Sequence, residues 1–229
     1  MGNCCAPGSE DAEVNGAAAA AVTPQDNTMS KNSPPASAAA SPAGVGSAST
    51  QQSPANRGLT FELAVTDLEK AEKLAYGSVF ANFGPSASGY VPVNSELLID
   101  YVSANTCLPY TDIDTVLLTA AQNNDEMAIK LENFLKIMQD NSIQEGMVLE
   151  RFLGLSDNGE AIQSSECRSG LLMLKEELGA AAASVGEARW ELVFDSVMAN
   201  AEATVNMDAW TDYCRKVARI AHVTHAAKL

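Results

Sequence analysis

The chain has 229 residues, 46% of them hydrophobic, and a formal net charge of −15 at pH 7. This acidic surplus excludes nucleic acid as an expected partner, because phosphate contacts need a basic face. No stretch approaches the ~20 consecutive apolar residues of a membrane-spanning helix, and no secretion signal is apparent. The composition therefore predicts a protein that folds in the cytosol.

The first residues place a glycine and two cysteines together, at Gly2, Cys4 and Cys5. One myristoyl chain on Gly2 would give only marginal membrane binding, so a second signal is needed. The segment that follows is not basic, which leaves Cys4 or Cys5 to carry a palmitoyl chain. This terminus resembles the dual-acylation termini of membrane-tethered kinases, G-protein subunits and calcium-binding proteins. The resemblance implies peripheral attachment to the cytoplasmic face of a membrane, for example the plasma membrane or a flagellar or ciliary membrane.

Residues 1–58 are rich in alanine, serine, proline and glycine and contain no aromatic residue. Such a segment cannot bury enough apolar surface to offset the roughly 1 to 2 kcal/mol per residue lost on ordering a backbone. We therefore predict a disordered tether in residues 1–58 and a folded body that begins at residue 59.

The body shows apolar residues at helical spacing almost throughout, and no strand of any length is indicated. The predicted fold class is all-α. A first helical segment should run to Gly84, with a capping box at residues 66–69. Gly154 and Gly179 are expected helix stops. Further helices are predicted at residues 95–103, 111–122, 131–139, 145–153, 166–178, 186–200 and 207–225.

Four short polar loops, each with one aliphatic residue, separate these helices. The aliphatic residues are Val91, Ile129, Ile162 and Val205, about one helix-loop-helix unit apart. The pattern resembles the calmodulin-like EF-hand superfamily. The resemblance implies short backbone bridges that pair Val91 with Ile129 and Ile162 with Val205. It also implies two EF-hand-like lobes, at residues 59–140 and 141–229.

The loops lack most of the oxygen ligands that a calcium loop needs, including the closing carboxylate in all but the third. The third loop comes nearest, with Asp157 and Glu166. We therefore regard the loops as degenerate and expect no cofactor. The alternative is a calcium sensor with one surviving site, built on Asp157 and Glu166.

The predicted last helix carries Arg215, Lys216 and Arg219 in an otherwise acidic chain. These cations either complement the helix dipole or face an anionic membrane surface or an acidic partner. On the same helix His222 and His225 are expected on a solvated face. No catalytic motif is present, so we do not expect an enzyme.

Within this family, the hydrophobic cleft of paired hands holds an amphipathic helix of a partner. The sequence therefore predicts a membrane-tethered, calmodulin-like adaptor that binds a partner protein independently of calcium. An unrelated anchored helical scaffold is the remaining alternative, and it would lack the two backbone bridges.

Overall fold

A computed structural model describes residues 54–121 and 127–229, with side chains from residue 60 onward. The predicted tether lies outside the described residues almost entirely, as do Gly2, Cys4 and Cys5. The described residues belong to one compact unit, and α-helices dominate them. The strands that they contain are only two or three residues long, which agrees with the coarse all-α prediction.

The predicted first lobe has five helices among its described residues, and the first of them begins at Pro54, ahead of the predicted boundary at residue 59. Its elements are α1 (Pro54–Thr66), α2 (Leu68–Asn82), β1 (Val91–Pro92), α3 (Glu96–Asn105), α4 (Tyr110–Ala121), β2 (Ala128–Ile129) and α5 (Leu131–Asp140).

The second lobe repeats the order helix, strand, helix with one additional short helix. Its elements are α6 (Glu145–Leu155), β3 (Ala161–Gln163), α7 (Ser164–Glu177), α8 (Gly179–Val185), a 3-10 turn (Glu187–Arg189), α9 (Trp190–Val197), β4 (Thr204–Asn206) and α10 (Met207–Ala226).

Two short antiparallel bridges join the loops in pairs. Strand β1 pairs with β2, with Val91 opposite Ile129, and β3 pairs with β4, with Ile162 opposite Val205. All four side chains are buried, because each points from its loop into the core. Both expected residue pairs are therefore confirmed.

Several helix boundaries differ from the predicted ones. The cap of α2 is Asp67, whose carboxylate accepts a hydrogen bond of 3.2 Å from the backbone N–H of Lys70, and this one residue separates α1 from α2. The stop predicted at Gly154 is wrong, because α6 continues through it to Leu155. At Gly179, with φ +50°, the chain does leave α7, but it enters α8 at once.

Helix α10 lies at the centre of the body. Along its first half Trp210, Cys214 and Val217 are buried against the second lobe, and along its second half Ile220 and Val223 are buried as well. The helix packs against α1, α2, α6, α7, α8 and α9. The two predicted lobes thus share one helix.

Candidate partner-binding groove

The second lobe has an open groove between α6 and α7, of about 940 Å³. Met147, Leu155 and Met173 supply its apolar lining. At Gly146 and Gly154, which also line the groove, a Cβ atom would meet nothing within 4 Å. The groove therefore contains unfilled space next to adaptable thioether side chains.

The helices that form this groove have more apolar surface than the core uses. On α6, Val148 and Phe152 face the core, whereas Leu149 and Leu153 are 46% and 54% exposed. The neighbouring α7 buries Leu171 and Leu174.

On α7, Leu172 and Met173 are 50% and 46% exposed. A helix that only covers a core needs one apolar face, so the second apolar face on α6 and α7 indicates a contact surface.

A polar bridge spans the groove. The guanidinium of Arg151 on α6 lies 2.9 Å from Glu177 Oε1 on α7 and 3.6 Å from the sulfur of Met173. The pair is partly solvent-exposed, so it contributes little stability, about 0 to 1 kcal/mol. It links α6 and α7 across the groove.

The groove of the first lobe is smaller and differently bounded. It lies between α2 and α3, measures about 340 Å³, and is lined by Val79, Phe83, Leu97 and Tyr101. Leu229, just beyond the end of α10, also lines it. Leu229 therefore borders the first groove. The described residues that line the second groove lie on α6 and α7, apart from Gln144 just before α6.

The three predicted cations of α10 have different partners. Arg215 forms an ion pair of 2.7 Å with Glu145, and Lys216 donates to the backbone oxygen of Ser196 at 3.3 Å. Arg219 forms an ion pair with the buried carboxylate of Glu72.

All three cations line one cleft of about 680 Å³, which also holds five carboxylates. This is a surface of mixed charge, and contact of Arg215, Lys216 and Arg219 with a membrane or a partner stays a prediction. The five carboxylates are those of Asp67, Glu69, Asp140, Glu145 and Asp212.

The first and third loops are closed by hydrogen bonds of their own hydroxyl and amide groups. In the first loop the backbone N–H of Tyr90 donates to Ser86 Oγ at 3.2 Å. In the third, Ser156 Oγ donates to the backbone oxygen of Ala161 at 2.9 Å, and Asn158 Oδ1 accepts from the N–H of Glu160 at 3.0 Å. The geometry of these loops is thus specified by protein groups.

The predicted calcium ligands lie on the third loop and the helix after it. Asp157 is exposed between α6 and β3, and Glu166 is exposed in the first turn of α7. Among the residues that the structure describes, no three His, Cys, Asp or Glu side chains form a group that could hold a metal.

The two histidines of α10 contact different parts of the chain. Nε2 of His222 lies 3.1 Å from the backbone oxygen of Ser142, and Nδ1 of His225 lies 2.8 Å from Ser184 Oγ. Both rings are half-buried, and desolvation lowers the pKa of each. The predicted solvated face is therefore wrong.

The sequence interpretation expected a hydrophobic cleft between paired hands but did not place it between α6 and α7, and it missed Glu72. The exposed Leu149 and Leu153 extend the apolar pattern of α6 beyond one face, but neither lines the groove. Glu72 had no signal in the sequence, because a glutamate between Ala71 and Lys73 is typical of a solvated helix surface.

No protein-family profile, curated protein or solved structure matches this chain. Across the described residues, no helix combines the length and the apolar character needed to cross a bilayer. A function must therefore be argued from the site itself.

Proposed function

We propose that this chain is a membrane-tethered, calmodulin-like adaptor. Its body holds an amphipathic helix of a partner protein in the groove between α6 and α7, without a need for calcium. Acyl chains on Gly2 and on Cys4 or Cys5 keep it at the cytoplasmic face of a membrane. The observation that carries the proposal is the open groove of the second lobe, which has Met147, Leu155 and Met173 in its lining.

The shape and lining of the groove suit a helix. Two neighbouring helices form its walls, and its lining combines the apolar Met147, Leu155 and Met173 with the charged Glu150, Arg151 and Glu177. An amphipathic helix would place its apolar face on the former and its polar face beside the latter. The methionines would adapt to the side chains that enter.

The loop pairing supports a calmodulin-like architecture. Each lobe joins two helix-loop-helix units by a short antiparallel bridge, with Val91 opposite Ile129 and Ile162 opposite Val205. An unrelated helical scaffold has no physical reason to pair residues of these particular loops. The bridges therefore favour the EF-hand-like interpretation over that alternative.

The hydrogen bonds of the loops support independence from calcium. The third loop is already closed without a metal by its own hydrogen bonds, such as that from the N–H of Glu160 to Asn158 Oδ1. A metal there would also gather few carboxylates, since Asp157 and Glu166 are the two at ligand positions. A lobe already folded around Ile162 and Val205 gains little from a metal.

Calorimetric titration of the full chain with calcium, at physiological magnesium, tests this point. Tryptophan emission from Trp190 and Trp210 is followed in parallel. We expect no micromolar binding and no spectral change. Binding heat at micromolar calcium would contradict the proposal if Asp157→Asn or Glu166→Gln abolished it. The control Asp114→Asn, at an exposed position of α4, should leave that heat unchanged. The protein would then be a calcium sensor.

Site-specific photo-crosslinking in cells tests the groove. A photoreactive residue at Met173, inside the groove, is compared with one at Leu192, which is 57% exposed on α9 outside it. We expect a discrete crosslinked partner from Met173, in the presence and absence of a calcium chelator, and none from Leu192. Equal labelling from both positions would argue against the groove.

A further inference from the structure

A buried carboxylate lies where α2 meets α10. The side chain of Glu72 is only 1% exposed. The guanidinium of Arg219 donates two hydrogen bonds of 2.7 Å to this carboxylate, from Nε to Oε1 and from Nη2 to Oε2. Nε2 of Gln139 donates a third hydrogen bond of 2.6 Å to Oε2. Paired, charge-assisted bonds of this kind are strong and demand one geometry.

This cluster joins the two lobes. Glu72 on α2 and Gln139 on α5 belong to the first lobe, whereas Arg219 is on α10, whose first half is buried in the second lobe at Trp210 and Cys214. The contact spans 147 positions of the chain. It is the point where the second half of α10 is fixed to the first lobe by charge.

The pair specifies an arrangement more than it adds stability. Glu72 is taken from water, whereas the Arg219 side chain stays 26% exposed. The desolvation of Glu72 cancels much of what the attraction returns, so the pair is weak support for stability. Removing one partner is costly, because it leaves the other charge buried and uncompensated. With Arg219 withdrawn, Glu72 must regain water or bind a proton, and either change weakens the contact between α2 and α10, which we call the seam.

We propose that the Glu72–Arg219 pair, with Gln139, is a latch that holds the second half of α10 on the first lobe and so keeps the two lobes together as one body. Ile220 and Val223, on the same half of α10, are buried as well. The ion pair adds to this apolar packing a contact that demands one geometry.

Helix α10 also provides a matched control. Arg215 lies one turn before Arg219 and pairs with Glu145 at the start of α6, which is within the second lobe. Its side chain and that of Glu145 are 42% and 80% exposed. An exposed pair within one lobe contributes little, so Arg215→Met should leave the seam closed.

The test is hydrogen exchange on the full chain, read together with the radius of gyration from X-ray scattering. In Arg219→Met we expect the amides of residues 217–226 and of α2 around Glu72 to exchange about a hundredfold faster or more. The amides beside Ile129 and Ile162, in the loop bridges, should keep their protection. The radius of gyration should rise. Arg215→Met should change the same amides less than about fivefold.

Two further variants keep the test decisive if Arg219→Met does not fold. Glu72→Gln removes only the charge, and Arg219→Lys keeps a charge but loses the planar fork. We expect the same amides to be affected in both, less strongly for Arg219→Lys. Exchange that rises evenly across both lobes, or matches that of Arg215→Met, would show that the pair is not a latch.

Discussion

The indole Nε1 of Trp210 donates a hydrogen bond of 3.0 Å to the backbone oxygen of Val148, and both groups are buried. The donor belongs to α10 and the acceptor to α6, the helix that forms one wall of the groove. The position of that wall is thus tied to the shared helix of the body. Variants that disturb this contact should affect stability and the groove together.

Replacing Trp210 with phenylalanine removes the donor and leaves the oxygen of Val148 buried without it. We expect the free energy of unfolding to fall by about 1 to 3 kcal/mol from the lost hydrogen bond, and further from the smaller ring. Urea unfolding followed by circular dichroism measures the change. A midpoint equal to that of the wild type would contradict this role for the indole.

Close packing beside the same ring makes Gly170 sensitive to substitution. A Cβ atom at Gly170 would lie 2.7 Å from Cη2 of Trp210 and would collide with Cδ1 of Leu155. Gly170→Ala should therefore cost about 1 to 3 kcal/mol.

The matched control for Gly170 is Gly154→Ala, also within a helix. A Cβ at Gly154 meets nothing within 4 Å, so this change should stabilise the protein by about 0.4 to 1 kcal/mol. Thermal unfolding of the two variants should shift in opposite directions. Shifts of the same sign would contradict the packing argument.

Stability should decrease below neutral pH partly through His222. Desolvation lowers the pKa of this ring from its ordinary 6.5, so the unfolded chain takes up the proton first as the pH falls. The contribution of His222 is present above pH 6.5 and is lost as the pH falls through the folded pKa.

We expect His222→Gln to lose less unfolding free energy than the wild type between pH 7.5 and pH 5. Urea titrations at the two pH values measure the difference. Carboxylates titrate in both proteins and cancel in the comparison. Equal losses in the two proteins would exclude His222 as a cause.

Acylation is tested by labelling cells with alkyne analogues of myristate and palmitate. We expect Gly2→Ala to abolish both labels, because palmitoylation follows the first membrane contact. The double variant Cys4→Ser, Cys5→Ser should keep the myristate label, lose palmitate and shift the protein to the soluble fraction. Cys107→Ser is the control and should behave as the wild type. Palmitate label retained in the double variant would place the modification elsewhere.

The predicted helices agree with the structure wherever apolar spacing was strong. The apolar pattern predicted both ends of α5 and of α10 to within one residue, because the buried residues of these helices recur once per turn. Helix α8 was missed because its run of Ala180 to Ala183 carries no periodic contrast between apolar and polar side chains. Gly154 was misjudged because a glycine ends a helix only when the backbone needs a positive φ there.

The long-range contacts were beyond the reach of sequence patterns. The pairing of Val91 with Ile129 was predicted because the resemblance of the repeated loops to EF-hands implies it. The pairing of Glu72 with Arg219 was not, since each is an ordinary charged residue within its own helix. Which charges become buried depends on how complete helices pack, and periodicity within one helix carries no information about that.

The central position of α10 also governs how the body is made. Synthesis proceeds from the amino end, so every other described helix has left the ribosome before residues 207–226 emerge. Until then the faces of α1, α2, α6 and α8 that α10 covers are open to water and to other chains. The nascent body therefore passes through a stage with uncovered apolar surface, in which aggregation competes with folding, and its lobes complete their cores together rather than in turn.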